Sequence, residues 1–182
     1  MKEREKKTVY PVRDVDRQLH MACRELNIGN IQTALVAGAN VNAPDETHEY
    51  SPLDVVLNSF DGWDNYRSNP NLQRQIRMIV EILLSHGANP NGLRADERPL
   101  TVFAWSCCDP EACAMLLQYG AKVNGVCDDE NTILDLVEEE IMFLSMTDGK
   151  DEVKQKLEMI WDMLKKRGAK NYCDLPPDEK TR

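Results

Sequence analysis

The dipeptide Gly-Ala occurs four times, at Gly38-Ala39, Gly87-Ala88, Gly120-Ala121 and Gly168-Ala169, each time directly after an apolar stretch with helical spacing. The stretches read IQTALVAGANVN, VEILLSHGANPN, CAMLLQYGAKVN and IWDMLKKRGAKN. An Asn follows the alanine by three residues at Asn42, Asn91 and Asn124, and by two at Asn171. Glycine there suits a left-handed helix C-cap, a backbone state that a Cβ makes costly. A chain punctuated four times in this way is expected to be helical and modular.

A second punctuation precedes each of these ends. It reads RQLHMAC at 17–23, SPLDVVL at 51–57, RPLTVFA at 98–104 and TILDLVE at 132–138. Ser51-Pro52 and Thr132 predict helix starts, with a hydroxyl as N-cap and Pro tolerated in the first turn. The register leucines Leu19, Leu53, Leu100 and Leu134 are 34, 47 and 34 residues apart. Between start and end the apolar spacing stays helical, as in Ile76, Ile79, Val80, Leu83 and Leu84, or Val153, Leu157, Ile160, Trp161 and Leu164. One such helix pair cannot bury its stripe alone, so neighbours must stack.

These residues resemble the ankyrin repeat, whose unit of about 33 residues opens on T-P-L-H-x-A-A and closes on G-A-(D/N)-V-N. The resemblance covers residues 16 to 171. It implies an all-α solenoid of four divergent repeats, about 16–44, 45–92, 93–125 and 126–171, with short hairpin-like loops. Residues 1–15 are expected to form an N-terminal capping segment around Val9, Tyr10 and Val12. Residues 173–182, with Pro176-Pro177, are expected to fray as a tail. Only His20 keeps the family's His; Asp54, Thr101 and Asp135 stand in its place in the other units.

The second and fourth units are enlarged by about fifteen residues. In the second, residues 60–75 contain the loop formers Gly62, Asn69 and Pro70. In the fourth, the first helix is expected to run past Ile141 and Leu144, break at Thr147-Asp148-Gly149 and give way to a long helix from Asp151. Phe60, Trp63 and Tyr66 of the first insert either pack back on the array or offer aromatic anchors.

Charge and composition narrow the function. Asp plus Glu total 31 against 22 Lys plus Arg, a net charge of −9 that repels phosphate and anionic lipid. Nucleic acid and membrane are therefore not expected partners. No apolar run approaches the roughly 20 residues that span a bilayer, and MKEREKKTVYPV has no apolar core of a signal peptide, so the expected compartment is the cytosol. The six cysteines form no C-x-x-C pair; a zinc site from His86, Cys107, Cys108 and Cys113 matches no common spacing, and buried or free thiols are expected. His20, His48 and His86 fall in different units, and no phosphate loop, H-E-x-x-H or nucleophile elbow is present. Neither an enzyme, nor a cofactor, nor a metal is expected.

The resemblance implies binding of another protein through hairpin tips and the exposed side of each first helix, which together line a concave groove. Carried over by position, the candidate residues are Arg24, Tyr50, Asn58, Arg94, Glu97, Trp105, Asp128, Asp129, Asn131, Glu139 and Glu140. Trp105 stands out because Trp is enriched among interface hot spots. The carboxylates around the fourth unit point to a basic partner met by a monomer. Two rival readings remain: a small acidic inhibitor or immunity protein that neutralises a toxin or nucleic-acid-binding protein, and an assembly scaffold that uses the two inserts, 60–75 and 145–152.

Overall fold

The computed structural model describes residues 13–46, 50–60, 62–93, 98–127, 130–147 and 151–180. Val9, Tyr10, Val12, Thr47, His48, Arg94, Ala95, Glu97, Asp128, Asp129, Asp148 and Gly149 lie outside the described residues.

Helix starts follow from local chemistry. Ser51 and Thr132 each close a capping box, with Asp54 and Asp135 as the reciprocal acceptors, and open α3 (Pro52–Leu57) and α8 (Ile133–Ser145). Asn27, Asn69 and Asp109 accept from the backbone three residues on, opening α2 (Ile28–Val36), α5 (Pro70–Ser85) and α7 (Pro110–Gln118). The remaining helices are α1 (Asp14–Arg24), α4 (Trp63–Ser68), α6 (Pro99–Thr101) and α9 (Asp151–Lys166). α6 continues into a π-helical turn, Val102–Ser106, and a 3-10 turn follows at Tyr172–Asp174. The fold is all-helical: among the described residues there is no strand beyond an isolated antiparallel bridge between Val126 and Thr132.

The four Gly-Ala ends share one geometry. Gly38, Gly87, Gly120 and Gly168 have φ of +85°, +87°, +90° and +80°. The alanine N–H that follows each glycine donates back to Ala34, Leu83, Leu116 and Leu164, respectively, the longer bond of a Schellman motif. The next residue then ties each end to the preceding loop. The N–H of Asn89 donates to Asn42 Oδ1 at 2.7 Å, that of Lys122 to Asn91 Oδ1 at 2.8 Å and that of Lys170 to Asn124 Oδ1 at 3.0 Å. Asp16 fills the role at the first end, accepting from Asn40 N–H at 2.7 Å. The Asn171 amide instead donates to Asp135 and Glu138.

The residue after each register leucine also reaches the next loop. His20 Nε2 lies 3.3 Å from the Tyr50 carbonyl, and Thr101 Oγ1 lies 3.5 Å from Cys127 Sγ. Asp54 accepts from Leu93 N–H at 3.1 Å and Asp135 from Tyr172 N–H at 2.8 Å. Asp54 and Asp135 thus accept from the loop that follows them, where His20 faces a loop carbonyl.

Packing runs in succession. α1 packs on α2 and α3, α3 on α5 and α6, the π turn on α7 and α8, and both α7 and α8 on α9. Leu19, Leu53, Leu100 and Leu134 are all buried, in one core with Ile31, Ile76, Ile79, Leu83, Leu116, Leu157 and Ile160.

Two expectations differ from the structure. Residues 60–75 are not a loop: they hold α4 and the first turns of α5, because Asn69-Pro70 acts as N-cap and N1 rather than as a loop break. Residues 173–180 do not hang free either. Leu175 is buried, and the Lys180 ammonium lies 4.9 Å from the Tyr172 ring centroid while donating to the Cys173 carbonyl. No helix among the described residues is long and apolar enough to cross a membrane.

Candidate functional site

Four of the candidate residues lie five residues after the leucines Leu19, Leu53, Leu100 and Leu134: Arg24, Asn58, Trp105 and Glu139. All four are exposed, on α1, on the end of α3, on the π turn and on α8, which follow one another in the packing order. The row changes character along its length, from cation through amide and indole to carboxylate. Arg24 is not an unengaged cation, since its guanidinium lies 3.7 Å from the buried Asp45 carboxylate.

Asn58 and Trp105 meet in one cleft of about 190 Å³, lined also by Leu57, Trp63, Thr101, Val102 and Ser106. Trp105 remains 45% exposed. The π turn sets its position: Cys107 N–H bonds the Val102 carbonyl at 3.0 Å, and Cys108 Sγ lies 3.5 Å from the Trp105 carbonyl. Trp63 comes from α4, held edge-on against Phe60 with ring centroids 5.2 Å apart. Its two aromatic neighbours in the insert serve packing. Phe60 lies against the core, and Tyr66 is fully buried beside Phe103.

The insert is anchored through Asp109. This buried carboxylate accepts from the Tyr66 hydroxyl, from Arg77 Nε at 2.8 Å and, through its other oxygen, from Ala112 N–H at 3.0 Å. Burial, reinforced by the Asp109 charge, pushes the Tyr66 phenol above its ordinary range, so it stays a neutral donor. Nothing in the sequence announced that Tyr66 and Arg77 converge on Asp109.

Other candidates are spread more widely. Tyr50 is half-buried against the core; its N–H donates to Asp45 Oδ1 and its carbonyl receives Asp45 N–H and faces His20. Asn131 is half-buried, and its carbonyl accepts from Cys127 N–H at 2.7 Å to close the hairpin before α8. Glu139 is exposed and Glu140 half-buried on α8. Glu138 faces inward instead, accepting from Trp161 Nε1 at 2.8 Å and from Asn171. Arg94, Glu97, Asp128 and Asp129 lie outside the described residues.

Sequence reasoning missed an apolar patch at the end of α8, where Met142, Phe143 and Met146 are exposed on the same side as Glu139. The available signal was their position off the stripe set by Ile133, Leu134, Val137 and Leu144. Cys23, Cys107, Cys108, Cys113 and Cys127 are buried thiols, and burial pushes Cys23 up to about 12. Among the described residues no group of three or more His, Cys, Asp or Glu is placed to hold a metal ion.

No protein-family model matches the chain, and no curated protein matches it.

Proposed function

We propose that the chain is an ankyrin-type solenoid of four units that binds another protein, basic in character, through the groove lined by α1, α3, the π turn and α8. The observation that carries this reading is the row Arg24, Asn58, Trp105 and Glu139, exposed at one register on successively packed helices. Four positive-φ glycine ends and the asparagine ladder between loops support the repeat assignment. The net charge of −9 and the exposed Glu139 favour a cationic partner. The protein works as a monomer in a reducing compartment, its thiols mostly buried.

The test is binding of a basic protein captured on the immobilised chain and then purified. Affinity is expected to fall at least about tenfold as salt rises from low to near-molar concentration. Glu139→Lys and Trp105→Ala are each expected to weaken it, with the helical circular dichroism unchanged. Affinity indifferent to salt and to both substitutions would sink the proposal.

A further inference from the structure

We infer that the cleft between Trp63 and Trp105 is a socket for one large apolar side chain of the partner, presented by a segment whose neighbouring Lys or Arg residues meet Glu139 and Glu140. The inference rests on the protein-binding reading above and gives that site a partner chemistry.

Size, lining and charge together select this occupant. At about 190 Å³ the cleft is smaller than the ~300–1,000 Å³ typical of small-molecule sites and suits a single side chain. Two indoles, Leu57 and Val102 supply apolar walls, while Asn58 and Ser106 supply polar groups for a partner backbone. The walls are fixed before binding, which lowers the ordering cost of association. Phe60 braces Trp63, the π turn holds Trp105, and Arg67 ties the two sides together. Its guanidinium donates to Asp64 at 2.5 Å and to the Ser106 carbonyl at 3.2 Å. That bridge pairs Arg67 with the exposed Asp64 carboxylate, which offsets part of its charge toward a basic segment.

The carboxylates come from the neighbouring helix. α8 packs on the π turn, and Glu139 occupies the register position next to Trp105. Glu140 lies close enough to add to the upward shift of the Cys108 thiol; burial is the main cause, and Arg67 and Lys156 act in the opposite sense, Lys156 being paired with Glu152 at 2.8 Å. Cys108 in turn contacts the Trp105 carbonyl, which places this negative charge beside the socket.

Three fluorescently labelled pentapeptides, KKFKK, KKAKK and EEFEE, serve as probes, read by anisotropy and by tryptophan emission, to which Trp161 contributes beside Trp63 and Trp105. KKFKK is expected to bind at least about tenfold more tightly than either of the others and to shift the tryptophan emission. Asn58→Trp, which fills the cleft, and Trp105→Ala, which opens it, are each expected to remove that preference, with unchanged circular dichroism showing that the variants fold. Equal binding of the three peptides, no binding by any, or full binding by Asn58→Trp overturns the socket. Salt-sensitive capture of a basic protein that depends on Glu139 but ignores Asn58→Trp overturns the socket and leaves the groove reading standing. Failure of both overturns both. A concentration-dependent dimer in sedimentation that Asn58→Trp abolishes assigns the cleft to a second copy of this chain and overturns the basic partner as its occupant.

Discussion

Asp109 gathers three donors from three helices: Tyr66 of α4, Arg77 of α5 and the Ala112 N–H that it caps in α7. Truncating it strands a buried phenol and a helix start, and leaves the half-buried Arg77 guanidinium to Glu111 and Gln73 alone. Asp109→Ala is therefore expected to destabilise the fold by about 3 kcal/mol, against about 1.5 kcal/mol for Tyr66→Phe, which leaves two donors in place. Urea titration of both and of the double variant checks this; strict additivity would contradict a shared network. Asp135 offers a pH-resolved case. Burial alone would raise its carboxyl, but bonds from Thr132, Asn171 and Tyr172 outweigh that and hold its pKa below the usual value. A depressed folded pKa contributes stability that is complete above the unfolded carboxyl's pKa of about 3.9 and is lost as pH falls through the folded value. Asp135→Asn is expected to cost about 1–2 kcal/mol at pH 7, and the gap to the parent chain should close in stronger acid. Neither convergence was legible in the sequence. Asp135 reads there as an ankyrin-like register position and Asp109 carries no signal of its own, whereas their partners lie 37 and 43 residues away.

At the scale of elements, the most legible features were those dictated by local backbone chemistry. Glycine at a left-handed cap, hydroxyl N-caps and the start of the long helix at Asp151 depend on a few consecutive residues, and all fall where the sequence places them. The insert was harder, because Asn69-Pro70 signals either a loop or a helix start, and the burial of Tyr66 decides between them. The π turn carries no local signature in the sequence; it buries Phe103, against Tyr66, and Ala104. Two glycines separate conformational from steric cost. An added Cβ at Gly87 meets nothing within 4 Å, so Gly87→Ala is expected to cost only the positive-φ penalty of about 1 kcal/mol. At Gly92, also at positive φ, the Cβ would stand 2.3 Å from Asp54 Oδ1, inside the capping box of α3. Gly92→Ala is expected to lose at least twice as much, with α3 losing hydrogen-exchange protection first; equal losses at the two sites would refute the steric argument.

For the molecule as a whole, the order of packing sets how stability is shared. Ile79 of α5 and Ile160 of α9 are both fully buried, so truncating either to Ala should cost about 2–5 kcal/mol in transfer and cavity terms. Their neighbourhoods differ. α5 packs on α3 and α4, and α3 in turn packs on both α1 and α6, so a defect at Ile79 is felt on two sides. α9 rests on α7, α8 and the π turn at the far end of the succession. Its ties onward from α7 include the Arg167 guanidinium on the Leu117 carbonyl at 2.8 Å and the Lys170 rung on Asn124. When stability is a sum of unit and interface terms, an interior defect lowers every pathway to the folded state, whereas a terminal defect allows the last pair to open alone. Ile79→Ala is therefore expected to shift a single urea transition to lower concentration. Ile160→Ala should instead broaden it, with exchange protection lost in α8 and α9 while α1, α3 and α5 keep theirs. If Ile160→Ala lowers protection evenly from α1 to α9, the chain folds as one indivisible core, and the picture of successive helix pairs is wrong.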